Sequence, residues 1–158
     1  MIDAIDSEIL NILQGNGRVS NAEIARQVKM APSAVLERVR KLEERGVIEG
    51  YVPKVNAQAV GRGLLAYIFV RTEERIWQPK TGEELCAVPE VQEVHHIAGE
   101  DCFLVKVRTK DTESLGRLLR ETFGRIESIR STRTTIVLDT LKETSALPID
   151  GAAKGKRK

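Results

Sequence analysis

"MAPSAVLERVRKLEERGVIEGY", residues Met30 to Tyr51, compresses a proline among small residues, a dense run of Arg, Lys and Glu, a glycine at Gly46 and a short aliphatic tail into one segment. Pro32 suits the first position of a helix, where its missing amide hydrogen costs nothing, and Gly46 stands where left-handed geometry ends one. Between them Val35, Val39 and Leu42 recur at i, i+4 and i+7, with Leu36 beside them. At about 100° per residue, Ser33, Ala34, Glu37, Arg40, Lys41 and Glu44 point away from that stripe, and Arg38 and Arg45 flank it. An amphipathic helix with a solvated charged face accounts for this pattern taken alone. The small residues at the start of the outward face, with cations beyond them, also suit a helix whose first turns enter a duplex major groove.

The residues upstream weigh between the two readings. In "DAIDSEILNILQGNG" Asp3 caps a helix with Asp6 in its first turn, and Ile5, Ile9, Leu10, Ile12 and Leu13 form its apolar face before Gly15 and Gly17 stop it. "SNAEIARQV" opens with Ser20 and has Glu23 three residues on, a capping box, with Ala22, Ile24, Ala25 and Val28 on the inner side. Three short helices with tight turns form one unit, and "VIEGYV" after Gly46, with Val47, Ile48 and Tyr51, reads as the start of a small β wing.

Charge restricts what such a unit can do. The 158 residues carry 25 basic and 23 acidic side chains, a net +2, which excludes a uniformly basic nucleic-acid binder. Residues 1–60 are neutral, residues 61–150 carry −2, and the last eight, "GAAKGKRK", carry +4. Two cysteines, Cys86 and Cys102, are too few for a disulfide framework and lack partners at zinc spacing. With no signal peptide and no apolar span of membrane length, the chain reads as soluble, cytoplasmic and without a metal or cofactor.

"DSEILNILQGNGRVSNAEIARQV" followed by "SAVLERVRKLEERGVIEGY" resembles the winged helix-turn-helix of the Lrp/AsnC, or feast/famine, family of transcription regulators, and the likeness extends over roughly residues 2–143. The family usually places Ser or Thr before the proline, where this chain has Ala31. The resemblance implies double-stranded DNA as a partner, with Ser20, Ser33, Ala34, Glu37, Arg38, Arg40 and Lys41 as the contacting residues.

The second half has its own pattern. "LLAYIFVRT" is a strand, apolar without interruption from Leu64 to Val70. A weak helix follows at "TGEELCAV", where Thr81 and Glu84 form a second capping box, and "VQEVHHIA" and "CFLVKVRT" are strands joined by "GED". "DTESLGRLLRETFG" is a helix with Leu115, Leu118, Leu119 and Phe123 on one face, and "SIRSTRTTIVLDT" is a last strand. The fold class is therefore α+β: a winged helix-turn-helix at residues 1–51, a connector at 52–63, a ferredoxin-like βαββαβ domain at 64–143 and a flexible basic tail at 144–158. A strand apolar on both faces needs cover on the side the helices leave open, and a second copy of the chain is the economical cover. The family resemblance adds that this domain dimerises through its sheets and commonly builds octamers.

The turn "AGED" has two readings. It is a hairpin turn with solvated acids, or it holds an amino acid, with amides near Gly99 on the carboxylate, Glu100 and Asp101 on the ammonium, and Thr132, Thr134 and Thr135 adding hydroxyls. In the family this turn and the last strand line effector pockets between dimers, although an Asp often stands where this chain has Cys102. His95 and His96 support an enzyme alternative, because siroheme decarboxylases share the architecture and histidines near this strand would be their acid groups; the plainer reading has one His facing the core and the other a subunit contact or solvent. Trp77, in "RIWQPK", is the only tryptophan and reads as a loop packed onto the domain or a subunit anchor.

Overall fold

A computed structural model describes residues 2–73 and 80–150, so Trp77 and the last eight residues lie outside the described residues. The chain divides into two compact units, one of residues 1–53 with 142–158 and one of residues 54–141.

The first unit is built on α1 (Ala4–Gly15), α2 (Asn21–Val28) and α3 (Pro32–Glu44). Its starts follow the local chemistry. The Asp6 backbone N–H donates to Asp3 Oδ1 at 2.8 Å, and the Glu23 N–H donates to Ser20 Oγ at 3.2 Å. Pro32 opens α3 behind Ala31, which supplies no side-chain cap. Gly46, at φ +67°, lies in the left-handed region just past α3, and Lys29 takes φ 55°, ψ 46° to turn the chain out of α2. The core is Ile9, Leu10, Ile24, Ala25, Val35, Val39 and Leu42. Two residues placed inside by sequence periodicity are exposed: Leu36 and Ala22 lie on the rim of their stripes, where about 100° per residue carries them past the packing partner.

The expected wing does not form strands. Residues 45–63 contain turns, bends and irregular chain, and the Tyr51 hydroxyl donates to Glu43 Oε1 at 2.9 Å. Partial desolvation of the half-exposed side chain, aided by that bond to Glu43, pushes the Tyr51 phenol up to about 12.

The second unit carries β1 (Leu64–Thr72), α4 (Lys80–Cys86), β2 (Val91–His96), β3 (Phe103–Thr109), α5 (Thr112–Glu121), a 3₁₀ turn (Phe123–Arg125) and β4 (Ile129–Ile136). The sheet order is β2-β3-β1-β4, antiparallel throughout, which is the ferredoxin-like arrangement expected. Ala66, Ile68 and Val70 alternate along β1 and meet Val105, Val107, Leu85, Leu115 and Phe123 in one core. Asp111 caps α5 through the Ser114 N–H at 2.8 Å. Thr81 does not cap α4: the helix begins one residue earlier, and Thr81 is fully buried, its Oγ1 hydrogen-bonded to Ser128 Oγ.

Residues 144–150 also depart from expectation. They belong to the helical unit rather than to a free tail, because Leu147 is hydrogen-bonded to Gln14 and Ile149 packs against the helical core.

Candidate functional site

The exposed face of α3 is set by its buried one. Val35 and Leu42 are at most 1% exposed, so the helix cannot rotate, and Ser33, Glu37, Arg40 and Lys41 are held outward, with Ala34 partly exposed beside them. Glu37 gathers the cations: Arg40 donates to it at 3.1 Å and Lys41 Nζ lies 3.5 Å away, while Arg40 also faces Glu44 at 3.7 Å. Arg40 holds the Glu37 carboxyl below its ordinary range, and Glu37 in turn raises the guanidinium. All three groups are in water, so these pairs are weak and exchange readily for phosphate partners. Ser20 Oγ accepts the α2 cap bond, which leaves its own hydrogen available to donate outward.

Arg38 does something else. Its Nη1 donates to Asp3 Oδ2 and Asp6 Oδ1, each at 2.7 Å, tying α3 to the first turn of α1. Asp6 is 11% exposed in its side chain and Arg38 29%, so the guanidinium is committed to the unit's interior edge rather than to the outward face. The Asp6 backbone N–H, followed by Arg38, holds the Asp3 carboxyl low, and Asp3 and then Asp6 raise Arg38.

In the second unit the acids of the "AGED" turn are paired. Glu100 meets Arg71 of β1 at 3.5 Å, with Arg71 Nε donating to the Glu100 carbonyl at 3.1 Å, and Asp101 accepts from Arg133 of β4 at 3.0 Å. The Arg133 guanidinium also lies 4.0 Å from the centre of the Phe69 ring. Sequence reasoning missed both arginines; they stand on β1 and β4, distant in sequence from the turn, and only the folded sheet brings them to its acids. Gly99 takes φ +138°, as the turn requires. The three threonines divide: Thr132 and Thr134 stand opposite Val70 and Ile68 on the helix side, and Thr135 stands opposite Tyr67 on the open side. Cys102 is half-buried with its sulfur 3.9 Å from the Thr72 carbonyl, so it supplies no acid to this cluster.

The open face carries Tyr67, Phe69 and Leu104, all partly buried, beside Lys106, which donates to Glu93 at 3.0 Å. His95 Nε2 is 3.3 Å from Glu93, and the His96 ring lies 5.2 Å from Phe103. His95 stands opposite Leu104 on the open face, whereas His96 stands opposite Phe103 on the helix side of the sheet, at its exposed margin. No described helix is long and apolar enough to cross a membrane.

Known proteins match this arrangement along nearly its whole length. Residues 2–49 match the family described as winged helix-turn-helix DNA-binding, and residues 65–147 match the Lrp/AsnC ligand binding domain. The HTH-type transcriptional regulator FL11 of Pyrococcus furiosus is 36% identical over 149 residues, covering 94% of this chain and 97% of that one. The leucine-responsive regulatory protein of Escherichia coli K12 is 36% identical over 152 residues, covering 94% and 92%. Among solved structures, a transcriptional regulator of Neisseria meningitidis in complex with L-Met superposes with TM-score 0.90 at 26% identity, covering 95% of this chain and 98% of that one. The feast or famine regulatory protein of M. tuberculosis complexed with L-methionine does so with TM-score 0.85 at 31% identity, covering 93% and 99%. The relatives are named as transcription regulators, which decides against the decarboxylase reading of His95 and His96.

Proposed function

The chain belongs to the Lrp/AsnC family of DNA-binding transcriptional regulators, and from that premise we propose how its surfaces divide the work. The start of α3 enters the major groove, with Ser33 and Ala34 allowing close approach and Glu37, Arg40 and Lys41 reaching base edges and phosphates, while Ser20 at the start of α2 donates to a phosphate. The observation that carries this is the outward, core-free face of α3, small at its beginning and cationic beyond. Arg38 leaves the contact set because its guanidinium is already held by Asp3 and Asp6.

A neutral helix-turn-helix grips DNA weakly by itself, so the binding species is a dimer or larger assembly, up to an octamer, in which linked copies gain avidity. The open sheet face at Tyr67, Phe69 and Leu104 is where a second copy sits. An amino acid or related small molecule binds between subunits at the turn: Arg71 and Arg133 supply cations for its carboxylate, Glu100 and Asp101 anions for its ammonium, with Gly99 and Thr135 alongside. Thr132 and Thr134 leave this set with their side of the sheet. The two methionine-bound neighbours support the ligand class. Binding there favours one assembly and so changes the DNA spacing that is gripped.

Arg40→Ala and Lys41→Ala are expected to weaken binding to the regulated site at fixed salt without moving the unfolding transition; unchanged affinity refutes the groove assignment. Calorimetry with each common amino acid at millimolar concentration tests sensing, and no heat with any of them removes it.

A further inference from the structure

Among the described residues, three of the four positions with a positive φ are glycines, Gly46, Gly61 and Gly99, and the fourth is Lys29, at φ 55°, ψ 46°. The conformation itself is required there. It ends α2, with the Lys29 and Met30 N–H groups both donating to the Ala25 carbonyl, and it turns the chain toward α3. A lysine is not required, because a Cβ in the left-handed region crowds the following carbonyl oxygen, and glycine takes the same turn without that clash.

Nothing in the helical unit uses the lysine side chain. It is exposed, and among the described residues it makes neither an ion pair nor a hydrogen bond. Arg26, Arg38, Arg40 and Lys41 are by contrast each held by carboxylates, of Glu23, of Asp3 and Asp6, and of Glu37. Residues 1–60 are neutral in sum, so an uncommitted cation weighs more here than on a basic surface. Lys29 precedes Pro32 by three residues, at most ~10–11 Å of chain, and Pro32 opens the end of α3 assigned above to the groove. A major groove is about 12 Å wide and a helix with its side chains about 10–12 Å across, so phosphates of both strands lie close beside an entering first turn.

We propose that Lys29 is a phosphate contact of the DNA interface, a cation kept at the α2–α3 turn in a backbone conformation that glycine would occupy with less strain. The inference rests on the DNA-binding reading above. An ammonium on a flexible four-carbon stem is a point charge without the fork that reads a base edge, which suits a phosphate.

The opposed demands of turn and charge give the test. The full chain is compared with Lys29→Gly, Lys29→Asn and Lys29→Arg in thermal unfolding and in affinity, across a salt series, for duplex DNA from upstream of its own gene and for an unrelated duplex of equal length. Glycine and asparagine both tolerate the left-handed region, and asparagine keeps a side chain where glycine loosens the turn. The glycine chain is expected to unfold about 4 °C higher, while its salt slope falls by about 0.9 for each copy bound. Between about 50 and 200 mM salt the native chain then weakens ~3.5-fold more than the variant per copy, and ~12-fold more with two copies on the duplex. The asparagine chain is expected to lose the same slope and Lys29→Arg to keep it. The loss is expected to be equal on both duplexes, since a phosphate contact carries no sequence.

Neutral variants with native slope and affinity overturn the contact. So does a slope lost equally by Lys29→Arg, and so does affinity lost at native slope on the own-gene duplex alone, which would mean that the turn acts by aiming α3. Glycine and asparagine chains that both unfold below the native one overturn the strain assignment, because the lysine side chain would then be holding the fold. A native chain that binds neither duplex overturns the DNA-binding reading itself.

Discussion

Arg38→Ala separates a structural arginine from a DNA contact. The guanidinium makes two 2.7 Å charge-assisted hydrogen bonds, to Asp3 and Asp6, across 35 and 32 residues of sequence. The Asp3 side chain is 52% exposed and is readily solvated once released, so the cost resides in Asp6, whose side chain is 11% exposed. A hydrogen bond to a charged group contributes about 1.5–3 kcal/mol, and an unpaired, fully buried charge costs more. With Arg38 itself 29% exposed, water partly replaces it, and the expected loss is about 2 kcal/mol. For a domain of 60–100 residues that is a fall of roughly 8–16 °C in Tm. Thermal unfolding checks this, with Arg38→Met as the variant that keeps the aliphatic stem, and a double-mutant cycle with Asp6→Asn is expected to show about 1–2 kcal/mol of coupling. Well below the transition, DNA affinity is expected to be unchanged. A native Tm together with a tenfold loss of DNA affinity would refute the clamp and return Arg38 to the groove face.

The Asp3 carboxyl, held low by the Asp6 N–H and then by Arg38, contributes stability that is complete above its ordinary value of 3.8 and is lost as pH falls through the lower folded value. Urea midpoints from pH 6 to pH 2 should therefore drop less steeply at the acid end for Asp3→Asn than for the native chain. Thr81→Val removes a fully buried hydroxyl from its bond to Ser128 and should cost about 1 kcal/mol, read as a lower urea midpoint with unchanged m. Tyr67→Glu places a carboxylate on the open sheet face and should shift sedimentation toward the monomer; a native profile would show that the subunit contact lies elsewhere.

How much was legible from sequence follows the range of each interaction. Ser20 with Glu23, Asp3 with Asp6, Pro32 and Gly46 act within a few residues, and each reads directly as a helix boundary. Strand β1 begins where its apolar run begins and continues two residues past it to Thr72, and the strand order follows from the order of elements. What failed depends on long-range geometry. The Arg38 clamp, the Arg71 and Arg133 partners of the turn acids, and the docking of Leu147 and Ile149 all join residues tens to more than a hundred positions apart. Periodicity places Leu36 on the core stripe but cannot show that no neighbour reaches it. Thr81 reads as a cap because Thr at that spacing usually is one; the hydroxyl of Ser128, distant in sequence, claims it first.

The most direct measurement is an electrophoretic mobility shift of the purified full chain on DNA upstream of its own gene, with unrelated DNA in excess. A discrete ladder of shifted species that survives the competitor is the predicted result, because the proposed assembly through the open sheet face has several neutral helix-turn-helices acting together on one site. Complete loss of the shifted species into the competitor would contradict the account.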